Sequence, residues 1–114
     1  MGDKMISNRT KWTAIDNKTR KYIIERDKKC IICGKSNFLT IAHVFVNRSH
    51  GGRSCKENLV CLCADCHMIM DNPLKNEIEK SKKYQNYCKN YLIHTEKIVF
   101  DEKFLKNLIF SKFS

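Results

Sequence analysis

Four cysteines stand in two matched pairs, Cys30-x-x-Cys33 and Cys63-x-x-Cys66. Each pair sets two sulfurs on one tight turn, and two such turns brought together make a tetrahedral thiolate site. Soft sulfur donors in that geometry suit zinc. Four protein ligands leave no open position, so the ion would be structural. Its binding, about 10 kcal/mol or more, would supply much of the folding free energy. The plainer reading, four small buried residues or a redox pair, leaves the matched spacing unexplained. Cys55, Cys61 and Cys88 have no partner spacing and receive no function; Cys61 is expected in the core and Cys55 on a loop.

The pairs are separated by 29 residues, more than a common zinc ribbon, so the insert must be an ordered unit of its own. In and just after it lie His43, Asn58, His67 and Asp71. Histidine is the side chain best poised to accept a proton near neutral pH, and His43 falls at the end of an apolar run. His67 and Asp71 are four residues apart, one face of a helix, and could hold one ion together. Arg48 and Arg53, on the polar stretch between, could grip phosphates. Each has a bland alternative. His67 could cap the knuckle or replace a zinc ligand, and Asn58 could be an ordinary loop residue. His43 could be a satisfied strand histidine, and Asp71 only the residue before the Asn72-Pro73 stop. His50 and His94 carry no motif and read as surface residues.

The elements that must position these groups follow from local pattern. Residues 1–15 read as a loosely ordered basic arm that Trp12 pins to the domain. Asp16 or Asn17 caps a helix running to about Arg26, with Ile15, Tyr22, Ile23 and Arg26 roughly on one face. After the first knuckle, FLTIAHVFV over 38–46 is rich in aliphatic and β-branched residues and predicts a strand. Residues 47–58 form a long polar loop containing Gly51-Gly52, and 59–62 a second strand. ADCHMIMD then starts a helix that Pro73 ends or kinks. A further helix over 74–93 carries Ile78, Tyr84, Tyr87, Cys88 and Tyr91 as a core stripe, with its lysines mainly on the other side. Residues 97–113 predict a last short strand or helix. The sum is a small, metal-centred α+β unit.

The chain has 114 residues, enough for one domain with a modest core. It carries a net charge of +10, as +6 over residues 1–40, zero over 41–73 and +4 over 74–114. Two basic flanks around a neutral, Cys- and His-bearing middle point to a polyanionic partner; solvated helix faces are the alternative. Lys80, Lys82 and Lys83 are the flank cations expected to meet phosphates. No apolar run is long enough to span a membrane, and no signal peptide is visible. Together with an odd number of cysteines, these features predict a soluble, cytoplasmic protein with metal-bound or free thiols.

The segments ERDKKCIICG, AHVFVNRSHGG and ENLVCLCADCH place His43 fifteen residues before Asn58, and Asn58 nine before His67, inside a four-cysteine frame. In that pattern residues 16–93 resemble the HNH endonucleases, in the zinc-stapled branch common in phages, mobile elements and restriction systems. The resemblance implies a ββα-metal core with flanking helices, residues 94–114 being an extension packed on or beside it. It implies metal-dependent hydrolysis or nicking of DNA, with 5′-phosphate and 3′-hydroxyl ends. His43 would be the general base, and Asn58 would bridge the loop and fix the orientation of the base. His67, with Asp71, would bind a catalytic Mg2+ or Mn2+. A homodimer or a larger phage or restriction assembly is compatible with it. One position departs from the pattern: many members carry a metal-binding Asp, His or Glu just before the base, and here it is Ala42. Its methyl group is expected to leave the face beside His43 to water or DNA, so that Asp at this position would add a ligand. The alternative is a zinc-stapled DNA-binding module with weak or no cleavage.

Overall fold

The computed structural model describes residues 8–110. Helix α1 spans Asn8–Thr13 and α2 spans Asn17–Asp27; strands β1 and β2 are Leu39–His43 and Leu59–Cys63. They are followed by α3 (Ala64–Asp71), α4 (Ile78–Thr95) and α5 (Glu102–Leu108). The Asp16 carboxylate accepts from the Thr19 N–H at 2.7 Å and starts α2. Lys28, in the left-handed region at φ 66°, ends it. The apolar face of α2 is narrower than the sequence implies: Ile23 is buried, whereas Tyr22 and Ile24 are exposed.

The strands pair antiparallel, with Leu39 opposite Cys63 and His43 opposite Leu59. The first strand is shorter than the apolar run 38–46. After His43 the Val44 N–H still donates to the Asn58 backbone carbonyl at 2.9 Å, and from Phe45 onward the Asn58 side chain takes over the donors. Its Oδ1 accepts from the Phe45 N–H at 2.8 Å and the Val46 N–H at 3.2 Å. Every residue of β2 is buried. Alternate side chains go to opposite faces. Val60 and Leu62 join Cys30, Ala42, Met70, Cys88 and Leu92 on one side; Leu59 and Cys61 meet Ile23, Ile15 and Ile41 on the other.

On the first face lie α3 and α4. Pro73 stops α3 at Asp71, as expected, and a 3-10 turn over Lys75–Glu77 leads into α4. The expected core stripe of α4 holds in part. Cys88 is fully buried and Tyr84 and Tyr91 pack on the core, but Ile78 and Tyr87 are exposed.

The N-terminal segment departs from a loose arm, since its described part includes α1. Trp12 does pin it: the indole N–H donates to the Gly51 carbonyl at 3.0 Å. At the other end, α5 brings Phe104 edge-on to Phe45, ring centroids 5.1 Å apart. Ile109 then forms a single bridge to Gly52, so this segment supplies both a helix and an isolated bridge. Gly52 permits the crowding, because a Cβ there would lie 2.0 Å from the Val46 carbonyl oxygen.

A buried ion pair joins α2 to both β2 and α4. The Arg26 guanidinium is bidentate on Asp27, at 2.6 and 3.0 Å, and also donates to the Leu59 carbonyl. The Asp27 carboxylate accepts in turn from the Cys61 N–H at 2.8 Å and from the Tyr91 hydroxyl. Removing Asp27 leaves the buried Arg26 with Glu96 alone, at 3.1 Å, and takes the acceptor from the Cys61 N–H and the Tyr91 hydroxyl. Asp27→Ala is therefore expected to cost about 3 kcal/mol or more in a urea titration; a change within about 0.5 kcal/mol, typical of a surface substitution, would show that the network contributes little.

Candidate active site

The four paired cysteines come from the α2–β1 connection, the end of β2 and the first turn of α3. Cys30 and Cys33 flank the turn between α2 and β1, with Gly34 at φ 83° bending the chain back. Cys63 ends β2 and caps α3, its sulfur accepting from the Cys66 N–H at 3.5 Å. The four sulfurs lie within 4.8 Å of one another. Cys30, Cys63 and Cys66 are buried and Cys33 is exposed. Burial opposes ionisation of Cys30, but backbone N–H groups of Cys33, Cys63 and Ile32 aimed at its sulfur outweigh it and bring the thiol down to about 7. Burial raises Cys66, and its sulfur neighbours raise it further. Four converging sulfurs, one of them with its thiol lowered to about 7, form a donor set able to hold a soft metal ion.

His43 ends β1 on the opposite side of the hairpin. Its ring is nearly buried, and its Nε2 lies 2.9 Å from Ser54 Oγ. The Ser54 hydroxyl has one proton, and it donates that proton to the Thr13 carbonyl at 2.5 Å. Ser54 Oγ must then accept from His43, so Nε2 carries the hydrogen and Nδ1 the lone pair. Nδ1 has no partner among the described residues and is not sealed from solvent. The ring borders two adjoining cavities of about 260 and 390 Å³, which share Asn47 and Asp71 in their walls. Burial, then the charge of Arg48, lowers the pKa of His43 to about 4 against the opposing pull of Asp71.

The same proton count applies to His67. Thr40 Oγ1 donates to the Leu62 carbonyl at 2.8 Å, so at 2.7 Å from His67 Nδ1 it can only accept. The remaining lone pair of His67, on Nε2, then faces Asp71 Oδ2 at 3.0 Å. Two acceptors at that distance repel unless a proton or a cation lies between them. His67 and Asp71 therefore fit a cation as donors, both partly exposed on the wall of the larger cavity.

Asn58 is fully buried. Besides the two bonds its oxygen accepts, its amide donates to the Val46 carbonyl at 3.0 Å and the Arg53 carbonyl at 2.9 Å. It ties both ends of the loop together, and none of these bonds is to the His43 ring. Arg48 and Lys82 line the cavities. Arg53 instead stacks on Trp12, 4.9 Å from the ring centroid, and Lys80 lies over Tyr84 at 5.8 Å. Lys83 is exposed and lines neither of these two cavities.

Position 42 is a correction. Ala42 is wholly buried, and its methyl points into the core with Val60, Leu62 and Leu92. It does not open a face beside His43, because neighbouring strand residues project to opposite sides. An Asp there would enter the core and not the site. Ser54, Thr13 and Thr40 were missed by sequence reasoning. No local signal marks them, since each is defined by a partner 11 to 41 residues away.

A two-stranded antiparallel hairpin, its long loop and the following helix define a small α+β domain of the ββα-metal class. Residues 30–70 match the family model described as HNH endonuclease. The matched segment holds both cysteine pairs, the hairpin with its loop and most of α3, and the four-cysteine cluster is consistent with the zinc-stapled branch of that family. Such a domain implies a nuclease or DNA-binding function. No curated protein and no solved structure matched the chain. No helix among the described residues is long and apolar enough to cross a membrane.

Because burial disfavours the imidazolium, the His43 ring is expected to stay neutral at pH 5.5 when followed by NMR. It should gain its proton only near pH 4. A midpoint close to the ordinary value of about 6.5 would mean that the ring is hydrated.

Proposed function

We propose that the protein is a metal-dependent HNH endonuclease or nickase that hydrolyses DNA phosphodiester bonds. The observation that carries this reading is a neutral histidine, its Nδ1 lone pair free, beside the cation-deficient pair of His67 and Asp71. In this reading Nδ1 of His43 removes the proton from the attacking water. His67 and Asp71 would hold a divalent ion, Mg2+ or Mn2+, which when bound would supply positive charge to the phosphoryl and leaving oxygens. Arg48 and Lys82 flank the groove as counter-charges for phosphates on either side. Asn58 keeps the loop over the base. Lys80, Lys83 and Arg53, away from the groove, serve only longer contacts along the duplex.

The cysteine cluster holds zinc in this reading and has a structural role. Purified protein should carry about one zinc per chain, and Cys30→Ser or Cys66→Ser should lose both metal and fold, because metal binding and folding are coupled. A folded, reduced, zinc-free sample would refute the assignment.

Two protein ligands are few, which suits magnesium, an ion that keeps several waters and often borrows substrate phosphate. It also gives the non-cleaving DNA-binding module its support. Supercoiled plasmid with millimolar magnesium or manganese separates the two. Cleavage is expected, with His43→Ala reducing it on the order of a hundredfold or more while zinc content and DNA affinity stay unchanged. Asp71→Ala should raise the metal concentration needed for half-maximal cutting. Tight DNA binding without cleavage at any metal concentration would favour the binding module.

A further inference from the structure

The polar interactions around the loop Asn47–Asn58 converge on a helix outside the matched residues. The last carbonyls of a helix have no intrahelical donors, and those at the end of α1 are taken by one residue of the loop. The Ser54 N–H donates to the Trp12 carbonyl at 3.0 Å, and the Ser54 hydroxyl donates to the Thr13 carbonyl at 2.5 Å. Two further bonds hold α1 against the same loop. Trp12 Nε1 donates to Gly51, and Arg9 Nη2 donates to the Ser49 carbonyl at 2.9 Å. The Arg53 guanidinium closes the contact over the Trp12 ring.

We propose that Ser54 is a positioning residue that fixes the tautomer and ring orientation of His43, and that α1 is the part of the chain that holds Ser54 to this task. Taking His43 as the base rests on the reading above. Thr13 is the end of the relay: its carbonyl takes the only hydroxyl proton of Ser54. Ser54 is thereby left as an acceptor and can pair only with a protonated Nε2. Nδ1 is consequently the nitrogen that faces the groove with its lone pair. A ring free to turn over would present an N–H to the water instead, and an N–H cannot accept a proton. The helix that serves the base lies at least 17 residues before the start of the matched segment. The HNH core is therefore completed by sequence from outside itself.

The test uses the full chain. 15N-histidine NMR of the zinc-loaded protein near pH 7.5 should show His43 as a single Nε2–H tautomer, with its N–H protected from solvent exchange. In Ser54→Ala the protection should disappear and the ring should populate both tautomers. The kcat for plasmid nicking should fall about ten- to hundredfold, the scale expected when a general base is misoriented. KM and zinc content should be unchanged. Ser54→Thr, which keeps the hydroxyl, should restore both the protected N–H and most of kcat. A wild-type spectrum with the proton on Nδ1 would overturn the proposal whether or not the protein cuts DNA. So would a Ser54→Ala protein with full kcat and an unchanged ring spectrum. Conversely, a protected Nε2–H in a chain that never nicks DNA would leave the positioning role of Ser54 intact and remove the nuclease reading alone.

Discussion

A two-stranded sheet is not stable alone in water, and the molecule is organised around supporting one. Every residue of β2 is buried, which a hairpin by itself could never achieve. One face is covered by α3 and α4, the other by α2 through Ile23. The Arg26–Asp27 pair then fastens α2 to the backbone of β2 at Leu59 and Cys61. The register that results has two consequences. It puts Leu39 beside Cys63, where the cysteine knuckles meet, and His43 beside Leu59, at the mouth of the loop. The cysteine cluster and the candidate base thus lie at opposite ends of the same five-residue ladder.

Hydroxyl groups impose direction at the candidate site. Ser54 and Thr40 each donate their one proton to a backbone carbonyl. What remains on each oxygen is acceptor capacity, and each meets a histidine nitrogen. The two imidazoles are thereby oriented without any charged partner for the ring of His43. That matters in a site where burial and Arg48 already favour the neutral ring. Preorganisation of this kind is set by folding, before a substrate arrives.

The charges divide by position more than by number. Arg48 and Lys82 border the groove, from the loop and from α4. Other cations are engaged elsewhere: Arg26 is bidentate on Asp27, Arg53 lies over Trp12, and Lys35 pairs with Asp65 at the surface. A net charge of +10 therefore overstates the number of groups that border the groove.

Much of this was legible in the sequence because the relevant information is local. The C-x-x-C steps fix sulfur spacing by turn geometry, and Asp16 and Pro73 punctuate helices through their own backbone preferences. The four-residue step from His67 to Asp71 follows from helical pitch. The small α+β class and the HNH-type arrangement rest on signals of that kind. What the sequence left open depended on partners remote along the chain. The Thr13 carbonyl reaches Ser54 across 41 residues, and Thr40 meets His67 across 27. Neither pairing has a periodicity to betray it. Ala42 shows the same limit in reverse: its identity was plain, but the side it faces was decided by strand alternation and by the helices that cover one face of the hairpin. The sequence predicts a loose basic arm where α1 forms, because six polar-rich residues cannot sustain a helix by propensity. Its helical form is accompanied by bonds from Trp12, Arg9 and Ser54 that exist only once the loop is folded against it.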